Sequence, residues 1–406
     1  MFRKFGFCGL RNAAGLMLLA APLAACNPDS PMLERVPEPL VASVKVGEYR
    51  NIRFDADDPA SLHALAEERI SEVKSVYGAG KLKGRGVDIN YLSLSGGGGD
   101  GAYGAGVLVG WTASGRRPKF DVVTGISTGA LIAPMAFLGP AYDERLREAF
   151  TTVSTADVQQ GQNVLAVVGV GDSFSGAGGL ESLIARYLTP NMIEEIAAEH
   201  RKGRALLIGT TNLDSQRPII WDIGAIAETG RPDAITLIRT IIRASASIPG
   251  EFPPVNIAVT ADGKPYNELH VDGGVTRQVF LFPPGYDPKI VDAAIGWHAN
   301  RRAYIIRNAK VDPVYHLTQP QLLPIASRSI GTLIKTQGVG DLYRIYTVSQ
   351  LDKIDYNLTY IPPDFTAQSK SFLDEPYMRE LFDVGYQEGK AGVHWNKKPP
   401  GLEGNQ

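Results

Sequence analysis

The sequence VDINYLSLSGGGGDGAYGAGVLVGW, residues 87–111, holds the pattern that decides the fold. Val87 to Leu94 predicts a buried strand, and Ala102 to Trp111 predicts a buried helix. Between them lies a loop, Ser95 to Gly101, with four consecutive glycines, each of which costs backbone entropy that a simple turn would not require. Because the loop has almost no side chains, its N–H groups can converge on one anion at the N-terminus of the next helix. The stretch therefore predicts a strand, an anion-binding loop and a helix.

Outward from this unit, short apolar runs typical of strands alternate with helical runs. Further strands are predicted over residues 121–124, 204–210, 219–221, 270–271 and 302–306. This alternation indicates a mainly parallel sheet between layers of helices, the α/β class. No linker separates Val87 from the helix predicted over 375–387, which favours one domain.

The glycine loop alone fits two kinds of anion site. Gly99-x-Gly101-x-x-Gly104 matches the dinucleotide-binding pattern, and Asp121 follows at about the 20-residue spacing of the ribose-binding acid. That acid should close the second strand, however, whereas Asp121 begins the strand predicted over 121–124. A phosphate-binding P-loop is excluded because the Lys-Ser/Thr pair is missing. An oxyanion hole is the other interpretation, and it depends on a nucleophile nearby.

A second motif supplies that nucleophile. Gly125-Ile126-Ser127-Thr128-Gly129 lies between a predicted strand and the apolar helical run over 130–138, as in a nucleophile elbow. Gly125 and Gly129 leave room for a sharp turn that lifts the Ser127 hydroxyl to a helix N-terminus. Taken alone, the serine could be a helix cap. Together with the glycine loop it predicts a serine nucleophile beside an oxyanion hole.

The candidate base is a carboxylate. None of the six histidines lies in a convincing motif, whereas Asp272-Gly273-Gly274 follows the short strand predicted over 270–271. A carboxylate with an ordinary pKa of about 3.9 needs partial desolvation and direct contact to take a serine proton. An aspartate that caps a tight turn is the structural alternative.

These motifs resemble those of the patatin-like phospholipase family. The family's G-G-G-x-[R/K]-G, G-x-S-x-G and D-G-[G/A] motifs have counterparts, in this order, at Gly96–Gly101, Gly125–Gly129 and Asp272–Gly274. The segment Arg243–Val255 is similar to the family segment between nucleophile and aspartate. The resemblance covers residues 87–282 well and the last hundred residues only loosely.

The resemblance implies a three-layer α/β/α sandwich with a mainly parallel central sheet. It also implies a catalytic Ser127–Asp272 dyad and no metal or cofactor. The expected substrates are acyl-lipid esters such as phospholipids and lysophospholipids. The oxyanion hole would consist of the amides of Gly97, Gly98 and Gly99. The glycines that support the motifs would be Gly96, Gly101, Gly125, Gly129, Gly273 and Gly274.

One departure from the family pattern bears on activity, because Asp100 occupies the loop position where Arg or Lys is usual. A carboxylate about 5 Å from an oxyanion would oppose it by roughly 3 kcal/mol at an effective dielectric near 20. Either Asp100 turns away and pairs with a cation such as Arg116 or Arg117, or activity is reduced. Two alternatives to the dyad enzyme follow: a weakly active or inactive lipoprotein that binds lipid or an envelope partner, and a triad hydrolase with His298 as the base.

The N-terminus predicts export. Basic residues precede an apolar run over 13–23, which is too short for a good membrane-spanning helix and ends in Leu23-Ala24-Ala25-Cys26. This ending resembles a lipobox, which implies a signal peptide over 1–25 and lipidation of Cys26. An ordinary signal peptide is the alternative. The implied location is the bacterial cell envelope, at the outer membrane and facing the periplasm.

The predicted layout continues with a tether over 26–46, the hydrolase domain over 47–395 and a flexible tail over 396–406. The apolar run Asn163 to Val170 predicts either a mobile cover over a lipid site or a buried element of the sandwich. Among 406 residues, 44% are hydrophobic and 21% charged, with a net charge of -2 and no block of like charge. This composition argues against extended disorder and against an electrostatic nucleic-acid binder.

Overall fold

The structure, a computed structural model, describes residues 33–77, 83–158, 178–282, 286–315 and 317–402. The predicted signal peptide over 1–25, Cys26 and the apolar run Asn163 to Val170 lie outside these ranges. Within them, no helix is both long and apolar enough to cross a bilayer.

The described residues form one mixed sheet and helices on both of its faces. The strands are β1 (Arg53–Asp55), β2 (Gly86–Leu94), β3 (Val122–Gly125), β4 (Ala205–Asn212), β5 (Arg217–Asp222), β6 (Val255–Ala261), β7 (Lys264–Asp272), β8 (His298–Arg307) and β9 (Asp355–Tyr360). The helices are α1 (Pro59–Tyr77), α2 (Gly101–Ala113), α3 (Thr128–Leu138), α4 (Asp143–Thr151), α5 (Thr155–Val158), α6 (Gly178–Tyr187), α7 (Pro190–His200), α8 (Ile223–Glu228), α9 (Ala234–Ser245), α10 (Pro288–Ile295), α11 (Leu322–Leu351) and α12 (Glu375–Ala391).

The centre of the sheet is parallel. Its strands follow the order β4–β3–β2–β8–β9, and each pairs in parallel with its neighbour. Antiparallel strands complete the sheet: β5 and β1 extend the edge beyond β4, and β7 pairs with the end of β4 and carries β6. Loops that follow parallel strands meet at one edge, where ligands bind in open α/β sheets.

Alternation of side chains along the strands places buried apolar residues on both faces of the sheet. In β2, Leu92 and Leu94 face the larger core, which also contains Phe382 of α12. Tyr91 faces the opposite way and packs with Leu342 of α11. The structure thus confirms the α/β class and the three-layer α/β/α sandwich with a mainly parallel central sheet.

Helices α2 and α12 pack backbone against backbone. A Cβ atom added at Gly106 or Gly110 of α2 would lie 2.1 Å from a carbonyl oxygen of α12. The reverse holds at Gly385 and Gly389 of α12, where the nearest α2 carbonyl oxygens would lie 2.3 and 2.4 Å away. Glycine is required at these positions because any side chain would force the two helices apart.

The folded part extends beyond the predicted domain boundaries. Leu40 and Val44, within the predicted tether, pack against the core, and Lys45 pairs with Thr260 of β6. At the other end, Asn396 of the predicted tail forms a backbone bridge with Leu358 of β9. The tether was predicted from four prolines between residues 28 and 39 and from the scarcity of large apolar residues, but Val36, Leu40 and Val44 pack against the domain.

Candidate active site

The sheet brings the predicted motifs to one edge. The glycine loop follows β2, and Ser127 follows β3, the parallel neighbour of β2. Asp272 ends β7 opposite Thr210 of β4. The segment Arg243–Val255 connects the two catalytic candidates: Ser245 Oγ accepts a hydrogen bond from the Ser127 amide at 3.0 Å, and the Ser247 carbonyl accepts one from the Asp272 amide at 2.9 Å.

Ser127 occupies a strained turn. Its φ of 55° and ψ of -125° lie outside the regions that a residue with a side chain readily adopts. A Cβ atom at Gly125 would lie 2.5 Å from the Gly129 carbonyl oxygen, and one at Gly129 would lie 2.3 Å from that of Leu94. The two glycines therefore permit the tight packing of the elbow, and helix α3 begins directly after the serine.

The glycine loop leaves its amides available. Gly96 donates its N–H to the carbonyl oxygen of Gln278 at 3.1 Å. Across the described part of the chain, the N–H groups of Gly97, Gly98 and Gly99 have no acceptor among backbone or side-chain atoms. Three consecutive unpartnered amides next to Ser127 fit an oxyanion hole, because an anion there would complete their hydrogen bonding.

Asn308, which follows β8, holds this loop in place. Its backbone N–H donates to Ser95 Oγ and its Nδ2 to the Ser95 carbonyl, both at 2.8 Å. Its Oδ1 accepts the amide of Gly104 at 3.1 Å. A Cβ atom at Gly97 would lie 2.0 Å from the Asn308 carbonyl oxygen, so this glycine allows a close approach of the two backbones. The sequence analysis missed Asn308, since a single asparagine after a strand has no distinctive pattern.

Asp272 is 4% exposed and has the electrostatics of a base. Its Oδ1 accepts the Gly274 amide at 2.7 Å, and its buried Oδ2 makes no hydrogen bond of good geometry to any described residue. Burial raises the pKa of Asp272 to about 7, although hydrogen bonding with the nearby Ser127 hydroxyl and the Gly274 amide lowers it in part. A carboxylate with a pKa near neutrality is well matched to proton transfer.

Asp100 has a different partner from the predicted ones. The hydroxyl of Tyr377, in the first turn of α12, donates a hydrogen bond to Asp100 Oδ1 at 2.6 Å. Arg116 instead donates to the Ala391 carbonyl and Arg117 pairs with Asp143, so pairing of Asp100 with either arginine was wrong. Both arginines follow the C-terminal end of α2, whereas Asp100 precedes its N-terminus. Burial raises the pKa of Asp100 to about 6, against the lowering effects of Tyr377 and two lysines.

The candidate histidines lie away from Ser127. His298 begins β8 and lies eight residues before Ile306, which pairs with Leu94 at the end of β2, or roughly 26 Å along the sheet. His270 is fully buried, with Thr210 Oγ1 at 2.9 Å from Nδ1 and Glu268 at 3.2 Å from Nε2. Neither geometry supports a triad with Ser127.

The acid of the dinucleotide pattern is also misplaced for that role. Asp121 precedes β3 and accepts the Asn90 amide at 2.8 Å. It therefore lies at the amino end of β3, whereas the glycine loop follows the carboxyl end of neighbouring β2. A nucleotide bound by the loop could not place its ribose on this carboxylate, which removes the competing interpretation.

Glu72, His200 and Asp222 come within 4.8 Å of one another, close enough to suggest a metal site. Arg69 already pairs with Glu72. Burial favours neutral His200, but its hydrogen bond to Glu72 and the charges of Asp222 and Glu72 raise its pKa to about 9. A protonated imidazole offers no lone pair, so this cluster is better explained as a buried ion-pair network. The absence of a metal cofactor remains a prediction.

Two spaces meet at Ser127. An apolar cavity extends from Ser127 and Gly98 between helices α3, α4, α6, α7 and α9. Its lining includes Leu131, Met135, Phe150, Ile184, Ile242 and Phe252. A wider groove also reaches Ser127, and its lining includes Gly96, Gly97, Asp272 and Gln278. The serine thus lines both an apolar cavity and a groove that contains charged side chains, which suits the ester bond of an acyl lipid.

A serine elbow, unpartnered loop amides and a buried carboxylate lie at one sheet edge, the arrangement that a serine acyl hydrolase would need. Residues 92–283 match the family model described as patatin-like phospholipase. This segment contains the glycine loop, Ser127 and Asp272, and ends before Asn308 and Tyr377. The match supports the patatin family and, in general terms, a lipid acyl hydrolase.

Two solved structures are similar to this chain at 13% identity. VipD from Legionella pneumophila aligns over 76% of this chain and 66% of its own with a TM-score of 0.37. A second match is the structure of full-length SpcU in complex with full-length ExoU, from the type III secretion system of Pseudomonas aeruginosa. It aligns over 75% of this chain and 53% of the matched chain, with a TM-score of 0.25. This chain thus spans less than two thirds of either matched chain. No curated protein matches the chain significantly.

Proposed function

We propose that the protein is a membrane-anchored serine acyl hydrolase that cleaves acyl esters of phospholipids or lysophospholipids through a Ser127–Asp272 dyad. The observation that carries the proposal is the position of Ser127. It lies in a strained elbow at the junction of an apolar cavity and an open groove, next to three unpartnered amides and a buried carboxylate.

The proposed reaction begins with the acyl chain in the apolar cavity and the ester carbonyl at Ser127. Asp272 accepts the hydroxyl proton while Ser127 Oγ attacks the carbonyl carbon. The resulting oxyanion receives hydrogen bonds from the amides of Gly97, Gly98 and Gly99. Protonated Asp272 then gives its proton to the departing alcohol oxygen, which leaves an acyl-serine. Water attacks this ester and Asp272 takes one proton of the water. As the bond between the acyl carbon and Ser127 Oγ breaks, Asp272 returns the proton to Oγ, and the fatty acid leaves.

Asp100 bears on the alternative of a weakly active lipid-binding lipoprotein. Its hydrogen bond from Tyr377 stabilises part of its negative charge, and its pKa of about 6 leaves it partly protonated in mildly acidic solution. These features favour a catalytically active protein over an inactive lipid-binding one. An intact protein that binds lipid but reacts with no acyl ester or serine-directed probe would support the alternative.

A fluorophosphonate probe, which phosphonylates activated serines, tests the nucleophile. The wild-type domain should be labelled and should hydrolyse short-chain esters, and Ser127→Ala should abolish both without unfolding, because the turn depends on its glycines. Ser75→Ala, at an exposed serine of α1, is the matched control and should react like the wild type. Labelling that persists in Ser127→Ala would show that another serine is the nucleophile.

The anchor is proposed from the sequence alone. Cleavage before Cys26 and acylation of its thiol would hold the enzyme at the outer membrane, facing the periplasm, where acyl lipids are concentrated. Cys26→Ser should abolish incorporation of a labelled fatty acid and move the protein out of the membrane fraction. Unchanged lipid labelling in that variant would contradict the anchor.

A further inference from the structure

The groove beside Ser127 contains a cluster of four basic side chains: Arg307, Lys310, Arg328 and Lys335. Arg307 ends β8, Lys310 follows it, and the other two lie on α11. They share the groove with Ser127, Gly98 and Asp272. None of the four lines the apolar cavity, so the cluster and the cavity are separate surroundings of the same nucleophile.

No carboxylate in the described chain forms a salt bridge with any of these four side chains. Their hydrogen bonds go to neutral backbone carbonyls: Arg307 to that of Lys335, Arg328 to that of Val314, Lys310 to that of Phe365, and Lys335 to that of Asp312. Two nearby acids attract the cluster without a salt bridge to it: Asp100, which accepts the Tyr377 hydroxyl, attracts Lys310 and Lys335, and Asp341, which pairs with Arg344, attracts Arg307. Asp312 attracts Lys335 only from a distance. The groove lining thus holds four cationic side chains against two acids, Asp100 and Asp272, which is an excess of positive charge.

This arrangement is costly without a ligand. Arg307 is only 2% exposed, and its Nε atom has no hydrogen-bond partner among the described residues. Burial lowers its pKa to about 10. Partial burial, followed by repulsion from Arg307, also lowers the pKa of Lys335. A bound anion would offset both the desolvation of Arg307 and the mutual repulsion.

The chemistry of the anion follows from its position. With the acyl chain in the apolar cavity, the alcohol side of the ester must lie in the groove, where the cluster would meet the phosphate of a glycerophospholipid. Near the groove, Tyr315, Leu317 and Leu322 are 85%, 79% and 82% exposed. Exposed apolar residues next to a basic groove favour a lipid over a soluble phosphate compound.

We propose that Arg307, Lys310, Arg328 and Lys335 bind the headgroup phosphate of the substrate and select phospholipids of net negative charge, such as phosphatidylglycerol, over zwitterionic ones. This inference rests on the proposed function and names the substrate class of the same site. A quaternary ammonium in the groove would be repelled by the cations that attract its phosphate, whereas an uncharged glycerol would not.

The test uses the full folded domain and two water-soluble lipids with equal acyl chains, dihexanoylphosphatidylglycerol and dihexanoylphosphatidylcholine, both below their micellar concentrations. A neutral p-nitrophenyl hexanoate assay reports on the proposed function separately. The wild type should have a higher kcat/KM for the anionic lipid than for the zwitterionic one. In the double variant Arg328→Gln/Lys335→Gln, kcat/KM for the anionic lipid should fall roughly 10- to 100-fold more than for the neutral ester. Lys74→Gln, at an exposed lysine of α1, should leave the ratio unchanged.

Equal losses on the anionic lipid and the neutral ester would indicate a structural role and overturn the inference, as would a wild type without preference. If no ester is hydrolysed, the proposed function fails, and calorimetry with Ser127→Ala and the same two lipids still decides whether the groove selects anionic headgroups. The same calorimetry with inorganic phosphate and with glycerol 3-phosphate tests whether the cluster binds a soluble phosphate compound instead. Tighter binding of either than of the anionic lipid would assign the cluster to a soluble ligand.

Discussion

The glycine loop after β2 and the end of β7 each place a carboxylate near Ser127, half-buried at Asp100 and buried at Asp272, yet the two carboxylates differ in what they can do. Asp272 keeps one oxygen without a firm hydrogen bond near the serine, whereas Asp100 has an oxygen held by the hydroxyl of Tyr377. Burial raises the pKa of both, to about 7 and about 6 respectively. Desolvation raises the pKa of both aspartates, but Asp272 has a free oxygen that could accept a proton from Ser127. An oxygen of Asp100 is instead occupied by the hydrogen bond from Tyr377.

The largest expected effect comes from removing the candidate base. Asp272→Asn should lower kcat by roughly 10²- to 10⁴-fold, the range for lost acid–base catalysis, because an amide cannot take the Ser127 proton. Wild-type activity should fall as the pH drops below about 7, where Asp272 becomes protonated. The measurement is a pH profile of ester hydrolysis. His298→Ala should keep most activity, and a comparable loss in that variant would return the triad to consideration.

The same substitution should stabilise the fold at alkaline pH. The folded-state pKa of Asp272 lies above its unfolded value, so the folded protein binds more protons between about pH 4 and pH 7, and stability falls as the pH rises through that window. The Asp272→Asn variant would avoid the cost of a buried charge, which is about 2 to 4 kcal/mol at pH 8. Urea unfolding of the wild type and of Asp272→Asn at pH 5 and pH 8 measures the difference in their free energies of unfolding. A stability difference that does not grow with pH would contradict the raised pKa.

A smaller effect, of opposite sign, is expected at Asp100. Above about pH 6 its carboxylate is ionised and opposes an oxyanion at the neighbouring amides. Asp100→Asn keeps an oxygen for the Tyr377 hydroxyl and removes the charge, so kcat at pH 8 should rise about 3- to 10-fold, less than the unscreened Coulomb energy allows. Asp383→Asn, an exposed position of α12, is the control. Lower activity in Asp100→Asn would mean that the ionised carboxylate assists the reaction.

Features that depend on residues close in sequence could be predicted, whereas contacts between residues far apart in sequence were missed. The fold class came from strand and helix periodicity, and the elbow came from the local demand for glycine at Gly125 and Gly129. These patterns lie within a few residues, so one sequence reveals them. The dyad and the oxyanion amides remain predictions, although the sheet brings their residues together.

The features that were missed come from distant parts of the chain. Tyr377 reaches Asp100 across 277 residues, whereas Arg116 and Arg117 are close in sequence yet lie past the other end of α2. Asn308 and Lys310 enter the site because β8 pairs with β2 in parallel. No local pattern marks these partners, since only the order of strands in the sheet makes them neighbours.

The contact of α2 with α12 decides how much of the chain must be produced to study this site. Residues 92–283 include α2 but end well before its partner, so that fragment would expose the glycine face of α2 to water. It would also lack the tyrosine that holds Asp100. A preparation ending at residue 283 should aggregate, and the shortest soluble product should extend through Ala391, the last residue of α12.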